Sequence, residues 1–358
     1  MNQKEKELFL ELCAFRTPNA KKIERLLKSY AATSEVLGML FANRMTGVAY
    51  YVLTETALLD LVDREFRNSL RNASLLNEKI NEDFLGCLKF LTTELDACGV
   101  PYALLKGAYL CHWYPKGCRT SNDIDVLLAP DDVGKVSARL KMAGFKQGHM
   151  KNGVFVPATR QEIIESKMTR GETVPFIKET KLPFMKHLEV DLNFSLDYKN
   201  SDDTVLNEML ARTQVMTVGS AKIRTLDPSD FMLHLCSHLY KEATTVPWIR
   251  MKRDMTFYKF CDIYGLLQDF TESDLDALIS KSIDLSVQKE VLYCLGGIEA
   301  FFGPVHSKSY DELMKEEIGL DEVIAPTEKK TYRYTETDIK KRFFAKDRMS
   351  ILKEVTEV

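Results

Sequence analysis

Residues 104–128 have the sequence LLKGAYLCHWYPKGCRTSNDIDVLL, which predicts a strand, a glycine turn, a helix and a second strand. The apolar run at 102–105 is typical of a short buried strand. Lys106 and Gly107 end this strand and begin the helix. Asp123-Ile124-Asp125 opens the second strand, so its two aspartates share one face while Ile124 points into the core.

Two carboxylates on one face of a strand repel each other unless a cation lies between them. Hard divalent cations such as Mg²⁺ prefer oxygen ligands of this kind. The pair formed by Asp123 and Asp125 therefore predicts a divalent metal site. An isolated Asp-x-Asp pair is more often explained by capping or by solvated strand edges, so the surrounding pattern decides between the two interpretations.

A third carboxylate comes from residues 186–194, which alternate strictly between apolar and polar side chains and predict a strand. The apolar face of this strand carries Leu188, Val190, Leu192 and Phe194. Its polar face carries Glu189, Asp191 and Asn193. We expect Asp191 to join the aspartate pair, with Glu189 as the alternative third carboxylate.

The order of these elements resembles the core of the polymerase-β-like nucleotidyltransferase superfamily, and more closely a bacterial family of uncharacterised nucleotidyltransferases within it. The family pattern contains L-K-G-x-x-L, then G-x-R-x-x-x-D-I-D-h-L, and then a strand with h-D-L. The three parts correspond to residues 105–110, 117–125 and 190–192. The resemblance of the core covers residues 99 to about 196, and a looser match to helical flanks covers most of the chain.

The resemblance implies an α+β fold, in which a small mixed-sheet polymerase-β-like nucleotidyltransferase core is flanked by N-terminal and C-terminal helical subdomains. Apolar residues at helical spacing predict a helical region over 1–98, and Gly99-Val100-Pro101 begins the α/β core of residues 99–226. A C-terminal helical region is expected over 227–320. A charged C-terminal segment is expected over 321–358.

The resemblance also implies a reaction: transfer of a nucleoside monophosphate from an NTP such as ATP to an acceptor hydroxyl, with release of pyrophosphate. Two Mg²⁺ or Mn²⁺ ions would take part. Asp123 and Asp125 would bind the ion that carries the triphosphate, and Asp191 would complete the site of the second ion. The acceptor stays open between a small molecule, a protein side chain and an RNA end.

Four further residues are expected to bind the nucleotide: Lys106, Gly107, Arg119 and Ser121. Gly107 would let the backbone approach a phosphate at the start of the helix. The superfamily usually has Gly-Gly or Gly-Ser there, whereas this chain has Lys106-Gly107. Lys106 either supplies a cation to the triphosphate or extends from the strand end to solvent. Arg119 either makes a bidentate phosphate contact or pairs with one of the aspartates.

Two alternative functions stay open. A degenerate nucleotidyltransferase fold would serve as a nucleotide sensor or interaction module; the missing serine after Gly107 favours this, and the intact aspartates argue against it. An Asp-x-Asp glycosyltransferase is the less favoured alternative, since such enzymes usually have a longer α/β nucleotide-binding half before the motif. Here the preceding segment is predicted to be helical.

The composition restricts the class of protein. A chain of 358 residues with 45% hydrophobic residues suggests two or three packed subdomains. A net charge of −3 argues against a strong nucleic-acid footprint, although local basic patches are compatible with it. No apolar run approaches the length of a membrane span, and the eight cysteines contain no C-x-x-C pair. We expect a cytoplasmic protein without a membrane partner.

Other stretches carry weaker signals. Residues 59–97 contain a long apolar stripe of Leu75, Ile80, Phe84, Leu88, Leu91 and Leu95. Residues 146–181 are polar and glycine-containing, and they predict a hairpin or a mobile loop. The basic, threonine-rich sequence beyond Pro326 predicts a peripheral helix or a partly ordered tail.

Two further groups of residues deserve a structural or functional interpretation. His234 and His238 are four apart on a predicted helix, which is the spacing of half a zinc site, but no third ligand is evident, so packing or cleft-lining histidines are favoured. The basic–aromatic cluster would suit an acceptor or a nucleic acid, but a solvated face is the more frequent explanation. This cluster consists of Trp248, Arg250, Lys252, Arg253, Tyr258 and Lys259.

Overall fold

The structure is a computed structural model that describes residues 1–169, 171–196, 203–315, 319–326 and 328–355. It divides into two compact units, one formed by Met1–Arg71 with Met232–Val358 and the other by Asn72–Phe231. The second unit includes the predicted α/β core. The predicted segment 321–358 contains residues 327 and 356–358, which lie outside the described residues.

The described residues contain sixteen α-helices, and the boundaries of the two units fall within α5 and α10. The helices are α1 (Gln3–Cys13), α2 (Ala20–Lys28), α3 (Ser34–Ala42), α4 (Thr46–Glu55), α5 (Arg64–Asp96), α6 (Gly107–Trp113), α7 (Val133–Met142), α8 (Arg160–Thr169), α9 (Asp203–Ala211), α10 (Pro228–Ala243), α11 (Val246–Arg250), α12 (Phe257–Leu267), α13 (Glu272–Asp284), α14 (Gln288–Phe302), α15 (Lys308–Leu313) and α16 (Ile339–Phe344). Short 3₁₀ helices lie at Leu59–Leu61, Pro130–Asp132 and Met349–Ile351.

The strands form two sheets. They are β1 (Tyr102–Leu104), β2 (Asp123–Leu128), β3 (Lys146–Lys151), β4 (Val154–Pro157), β5 (Phe176–Glu179), β6 (His187–Asn193), β7 (Gln214–Val218), β8 (Ala221–Thr225), β9 (Glu322–Ala325), β10 (Lys330–Tyr334) and β11 (Leu352–Glu354). The larger sheet has eight strands in the order β4-β3-β5-β6-β2-β1-β8-β7, and the smaller has the order β11-β10-β9.

The larger sheet is mixed, because β1 pairs with β8 and β2 with β6 in parallel, while its other pairs are antiparallel. The predicted order of strand, glycine turn, helix and strand is confirmed: β1 is followed by α6, and β2 begins at Asp123. The predicted α+β fold, with a mixed sheet and helical N-terminal and C-terminal regions, is likewise confirmed.

One face of the larger sheet is covered by the C-terminal half of α5. The predicted stripe of α5 is buried at four residues, Phe84, Leu88, Leu91 and Leu95, which pack with apolar residues of β1, β2 and β6. Each such side chain contributes about 1.5–3 kcal/mol when fully buried. Leu75, at the start of the predicted stripe, is 48% exposed, so the prediction is wrong there.

Two stretches differ from what the sequence predicts. Residues 146–181 form the predicted hairpin, β3 with β4, but they also contain α8 and β5, and β5 pairs with β6. The C-terminal segment is not a peripheral helix or partly ordered tail, because it forms the sheet β9–β11 and the helix α16. Apolar side chains explain this order: Val323 and Tyr334 are buried, and Phe343 stacks 5.8 Å from Phe9.

Within the described residues, no single helix combines the length and apolarity needed to cross a bilayer. One pair of consecutive helices, Ser34–Ala42 and Thr46–Glu55, reaches that length and apolarity only together, with a bend of 120° between them.

Candidate active site

The parallel pairing of β2 with β6 brings the predicted carboxylates together. In its register Asp125 is the partner of Asp191, and Asp123 is the partner of Glu189. Partners in neighbouring strands project from the same face of a sheet, so all four carboxylates lie on one face. The opposite face is apolar, since Ile124 and Val190 are fully buried. The three predicted metal ligands, Asp123, Asp125 and Asp191, therefore share one face of the sheet.

Burial and neighbouring negative charges raise the pKa of both carboxyl groups on β6, Glu189 and Asp191. Burial raises the pKa of Asp191 well above its ordinary range, and neighbouring negative charges raise it further. Those charges are on Asp125, Asp123, Glu189 and Glu172. Burial and the same two β2 aspartates raise the pKa of Glu189. Repulsion among these carboxylates thus disfavours their ionised forms unless a cation lies close to them.

Lys106 supplies a cation to this face. Its Nζ lies 3.0 Å from Oδ1 of Asp125, and its side chain is 22% exposed. Burial by itself would lower the pKa of Lys106, but the charges of Asp125, Asp123 and Asp191 outweigh that effect and raise it. The side chain thus points to the carboxylates instead of extending from the strand end to solvent.

The backbone at Lys106 is unusual. The carbonyl of Leu105 accepts a hydrogen bond from the N–H of Ala108 at 3.2 Å, which closes a β-turn with Lys106 at its second position. Lys106 has φ 45° and ψ −115°, a conformation of type II′ turns that favours glycine. A side chain held in such a region costs about 1–3 kcal/mol. The N–H of Leu105 donates to the carbonyl of Asp125 at 3.0 Å, so this turn is tied directly to β2.

The segment before β2 is held by the side chains of α5. Asn77 Nδ2 donates to the carbonyl of Gly117 at 2.9 Å, and Asn81 Nδ2 donates to the carbonyl of Arg119 at 2.8 Å. Arg119 is buried, and its guanidinium donates to the carbonyl of Thr120. Neither asparagine was predicted as part of the site, although two amides four residues apart on one helix face are a recognisable signal.

Ser121 connects the glycine turn to the first aspartate. Its hydroxyl donates to Oδ1 of Asp123 at 2.9 Å. A Cβ atom placed on Gly107 would overlap the Ser121 side chain, so the two residues are in direct contact only because Gly107 has no side chain. The hydroxyl that the superfamily usually carries after its glycine is absent at Ala108, and a hydroxyl from Ser121 lies beside the same glycine.

Two polar residues extend the site beyond the predicted set. Asn193 Nδ2 lies 3.5 Å from Oδ1 of Asp125 and donates to the carbonyl of Asp191 at 3.3 Å. Glu172 forms an isolated bridge with Asn193 and adds its charge to the environment of Asp191. The alternation of β6 placed Asn193 on the correct strand face, whereas Glu172 lies in the stretch 146–181, for which a hairpin or a mobile loop was predicted.

The donors fit a hard divalent cation in their chemistry, because all of them are carboxylate or amide oxygens. Their positions are not those of a finished site: in the part of the chain that the structure describes, no three His, Cys, Asp or Glu side chains are arranged to hold a metal ion. The ammonium of Lys106 pairs with the same carboxylates instead. Asp123, Asp125 and Asp191 are thus grouped on one face but not closed around a common point.

The remaining candidates lie in the other unit. The rings of His234 and His238 on α10 stack 6.2 Å apart, and Nε2 of His238 lies 3.2 Å from Oε1 of Glu242. In the basic–aromatic cluster, Arg250 pairs with Glu328 at 3.0 Å, and Lys259 pairs with Glu242. These charges are balanced within their own unit.

Three comparisons with known proteins give similarities to a family, to a relative and to a solved structure. The sequence model of a family described as uncharacterised nucleotidyltransferase matches residues 31–303. A 3-deoxy-manno-octulosonate cytidylyltransferase from Fusobacterium nucleatum subsp. nucleatum is 22% identical over 192 residues, which are 52% of this chain and 74% of that protein. The crystal structure of an antigenic nucleotidyltransferase-like protein from Paracoccidioides brasiliensis covers 57% of this chain and 90% of its own, with 14% identity and a TM-score of 0.33.

The family match spans the glycine turn, both aspartate-bearing strands and helices on either side of them. It therefore includes every residue of the candidate site. The chain belongs to this nucleotidyltransferase family.

Proposed function

We propose that the protein transfers a nucleoside monophosphate from an NTP to an acceptor hydroxyl and releases pyrophosphate. The observation that carries the proposal is the pairing of Asp125 with Asp191 across β2 and β6, with Asp123 on the same face. The family membership and the relative named as a cytidylyltransferase support nucleotidyl transfer as the reaction class.

Asp123, Asp125 and Asp191 would hold Mg²⁺ or Mn²⁺. When bound, these ions neutralise the triphosphate and make the acceptor hydroxyl more acidic. Asp123 and Asp125 share one strand and would orient the triphosphate, whereas Asp191 comes from the neighbouring strand and would serve the acceptor side. Nucleotidyl transfer depends mainly on positioning the reactants and on neutralising the charge of the triphosphate. These residues would contribute to both.

The remaining predicted residues would bind the nucleotide. Lys106 and Arg119 would neutralise phosphate oxygens, and Ser121 would donate its hydroxyl beside Gly107. The acceptor class stays open between a small molecule, a protein side chain and an RNA end. We propose a cytoplasmic location on the basis of composition.

The experiment is a screen of the four NTPs against pools of small molecules, proteins and RNA, with Mg²⁺ or Mn²⁺ present. Pyrophosphate release and a mass increase of one nucleotide on the acceptor are the readouts. Asp125→Asn is the inactive control, because it removes the carboxylate that faces Asp191. Release of pyrophosphate by the wild type alone supports the proposal. Tight NTP binding without turnover in any pool would favour the nucleotide-sensor alternative.

A further inference from the structure

The ammonium of Lys106 contacts Asp125, one of the carboxylates that the proposed function assigns to a metal ion. We propose that Lys106 is a built-in counter-ion for Asp123, Asp125 and Asp191, and that a divalent cation must displace it to bind. This inference rests on the proposed function, because it assigns the metal to the same carboxylates. Before the metal arrives, the ammonium of Lys106 would neutralise these carboxylates, and the metal would enter together with the nucleotide.

The first support is the position of the ammonium. Lys106 Nζ is 3.0 Å from Oδ1 of Asp125, whose side chain is only 11% exposed. The N–H of Leu105, the residue before Lys106, donates a hydrogen bond to the carbonyl of Asp125. The backbone next to Lys106 is therefore anchored to β2, the strand that carries Asp125. An ammonium and a divalent cation repel each other, so they cannot contact the same partly buried carboxylate oxygen at the same time.

The second support is the backbone of Lys106. Its φ of 45° places a lysine where glycine is favoured. Strained residues persist when the surrounding structure holds them in place, and they concentrate at functional sites. Glycine would relieve the strain at this position but would leave the carboxylates without a cation. Position 106 thus combines a backbone conformation that favours glycine with a positive charge that glycine cannot supply.

The pair between Lys106 and Asp125 would determine the order in which metal and nucleotide bind. Free metal has to break the pair between Lys106 and Asp125, so it binds weakly by itself. A metal that arrives with an NTP brings phosphate oxygens, which give the displaced ammonium a new partner. Metal and nucleotide should therefore strengthen each other's binding, by the reciprocity that links two ligands of one site. A free divalent cation would therefore bind only at high concentration, whereas the metal–nucleotide complex would bind at a lower one.

The main experiment measures Mn²⁺ binding without nucleotide, by electron paramagnetic resonance of the free ion, in full-length protein. Lys106→Met should bind Mn²⁺ about tenfold more tightly than the wild type, a coupling of ordinary size. Lys135→Met is the charge-matched control, because it removes an exposed lysine on α7 of the same unit. It should bind Mn²⁺ as the wild type does. Lys106→Arg should remain near the wild-type affinity.

The outcomes separate this inference from the proposed function. Equal Mn²⁺ affinity in the wild type and Lys106→Met overturns the counter-ion role and leaves the metal site of the proposed function intact. Weaker binding in Lys106→Met also overturns it and makes the lysine a helper of metal binding. Failure of both proteins to bind Mn²⁺ at millimolar concentration, with or without NTP, overturns the inference and the proposed metal site together.

A second measurement uses the wild type alone, so it does not depend on the folding of a variant. Lys106 is pulse-acetylated with acetic anhydride in chelator or in saturating Mg²⁺, and peptide mass spectrometry compares it with Lys135 in the same sample. Displacement predicts that Mg²⁺ raises the acetylation of Lys106 several-fold relative to Lys135. An unchanged or lower ratio overturns displacement.

Discussion

Asp125 on β2 and Asp191 on β6 lie opposite each other in a parallel strand pair, on the same face of the sheet. This relationship places two carboxyl groups side by side in a partly buried position. Burial, and then the charge of Asp125, raise the pKa of Asp191. Folding alone does not favour such an arrangement, because like charges destabilise each other's ionised form. The divalent cation that we propose for this site would relieve the repulsion.

Replacing Asp191 should separate stability from activity. In chelator, Asp191→Asn removes a charge from the crowded face, and its midpoint of thermal unfolding should rise by about 2 °C. NTP affinity should stay within a few-fold of the wild type, while turnover falls by orders of magnitude, since the lost interaction acts chiefly in the transition state. Calorimetry measures the unfolding midpoint and the NTP affinity, and pyrophosphate release measures the turnover.

Asp125→Asn is the matched comparison for that variant. It takes the partner away from Lys106 as well as a predicted metal ligand. Both NTP affinity and turnover should therefore fall. An equal loss of NTP affinity in the two variants would contradict the division of labour between the strands, and unchanged turnover in Asp191→Asn would remove that residue from the mechanism.

The strain at Lys106 has a measurable cost. Lys106→Gly and Lys106→Met both remove the ammonium, but only glycine fits the φ of 45° without strain. In chelator, the free energy of unfolding of Lys106→Gly should exceed that of Lys106→Met by about 1 kcal/mol. Urea unfolding of the two variants gives this difference. A lower value for the glycine variant would show that the turn is not strained.

Gly107 is expected to tolerate no side chain. Gly107→Ala should lower the free energy of unfolding by about 1–3 kcal/mol, because its Cβ overlaps Ser121. Gly134→Ala is the control: its Cβ would meet nothing within 4 Å, and alanine is the better helix former. Adding Ser121→Gly to Gly107→Ala should recover part of the loss. A neutral Gly107→Ala would mean that the turn and Ser121 are not in contact.

His112 on α6 should make the protein sensitive to acid. Burial lowers the pKa of His112 below its ordinary value of 6.5, so the unfolded chain takes up a proton at a higher pH than the folded chain. The stability that neutral His112 supports is complete above pH 6.5 and is lost as the pH falls below that value. His112→Gln should lose less unfolding free energy than the wild type between pH 7.5 and 5.5. Parallel urea titrations at the two pH values that showed equal losses would exclude His112 as the cause.

The strands of the site could be predicted from the sequence because their patterns are local. In β6 every second residue is apolar, and the structure buries Leu188, Val190 and Leu192 as expected. In β2 the aspartates flank a buried isoleucine. The resemblance implied that Asp191 comes from a neighbouring strand and joins the aspartate pair. The parallel pairing, with Asp125 opposite Asp191, could not be predicted from either strand alone, since register depends on pairing across 60 or more residues.

The position of Lys106 could not be predicted, because it depends on a backbone conformation that is unusual for lysine. A typical φ at that residue would leave solvent exposure as the simplest expectation. The β9–β11 sheet was missed for another reason. Its strand Lys330–Tyr334 contains two basic residues and three aromatic or hydroxyl side chains. The charged residues interrupt the alternation of apolar and polar side chains that indicates a strand, although Tyr334 is buried.

The most direct test of the carboxylate site is the metal dependence of nucleotide binding. Calorimetric titration of each NTP into the wild type, in Mg²⁺ and then in chelator, should show at least about tenfold tighter binding with Mg²⁺. Asp123→Asn should remove most of that gain. NTP binding that is equally tight in chelator, or a full Mg²⁺ effect in Asp123→Asn, would contradict the assignment of a catalytic metal to β2 and β6.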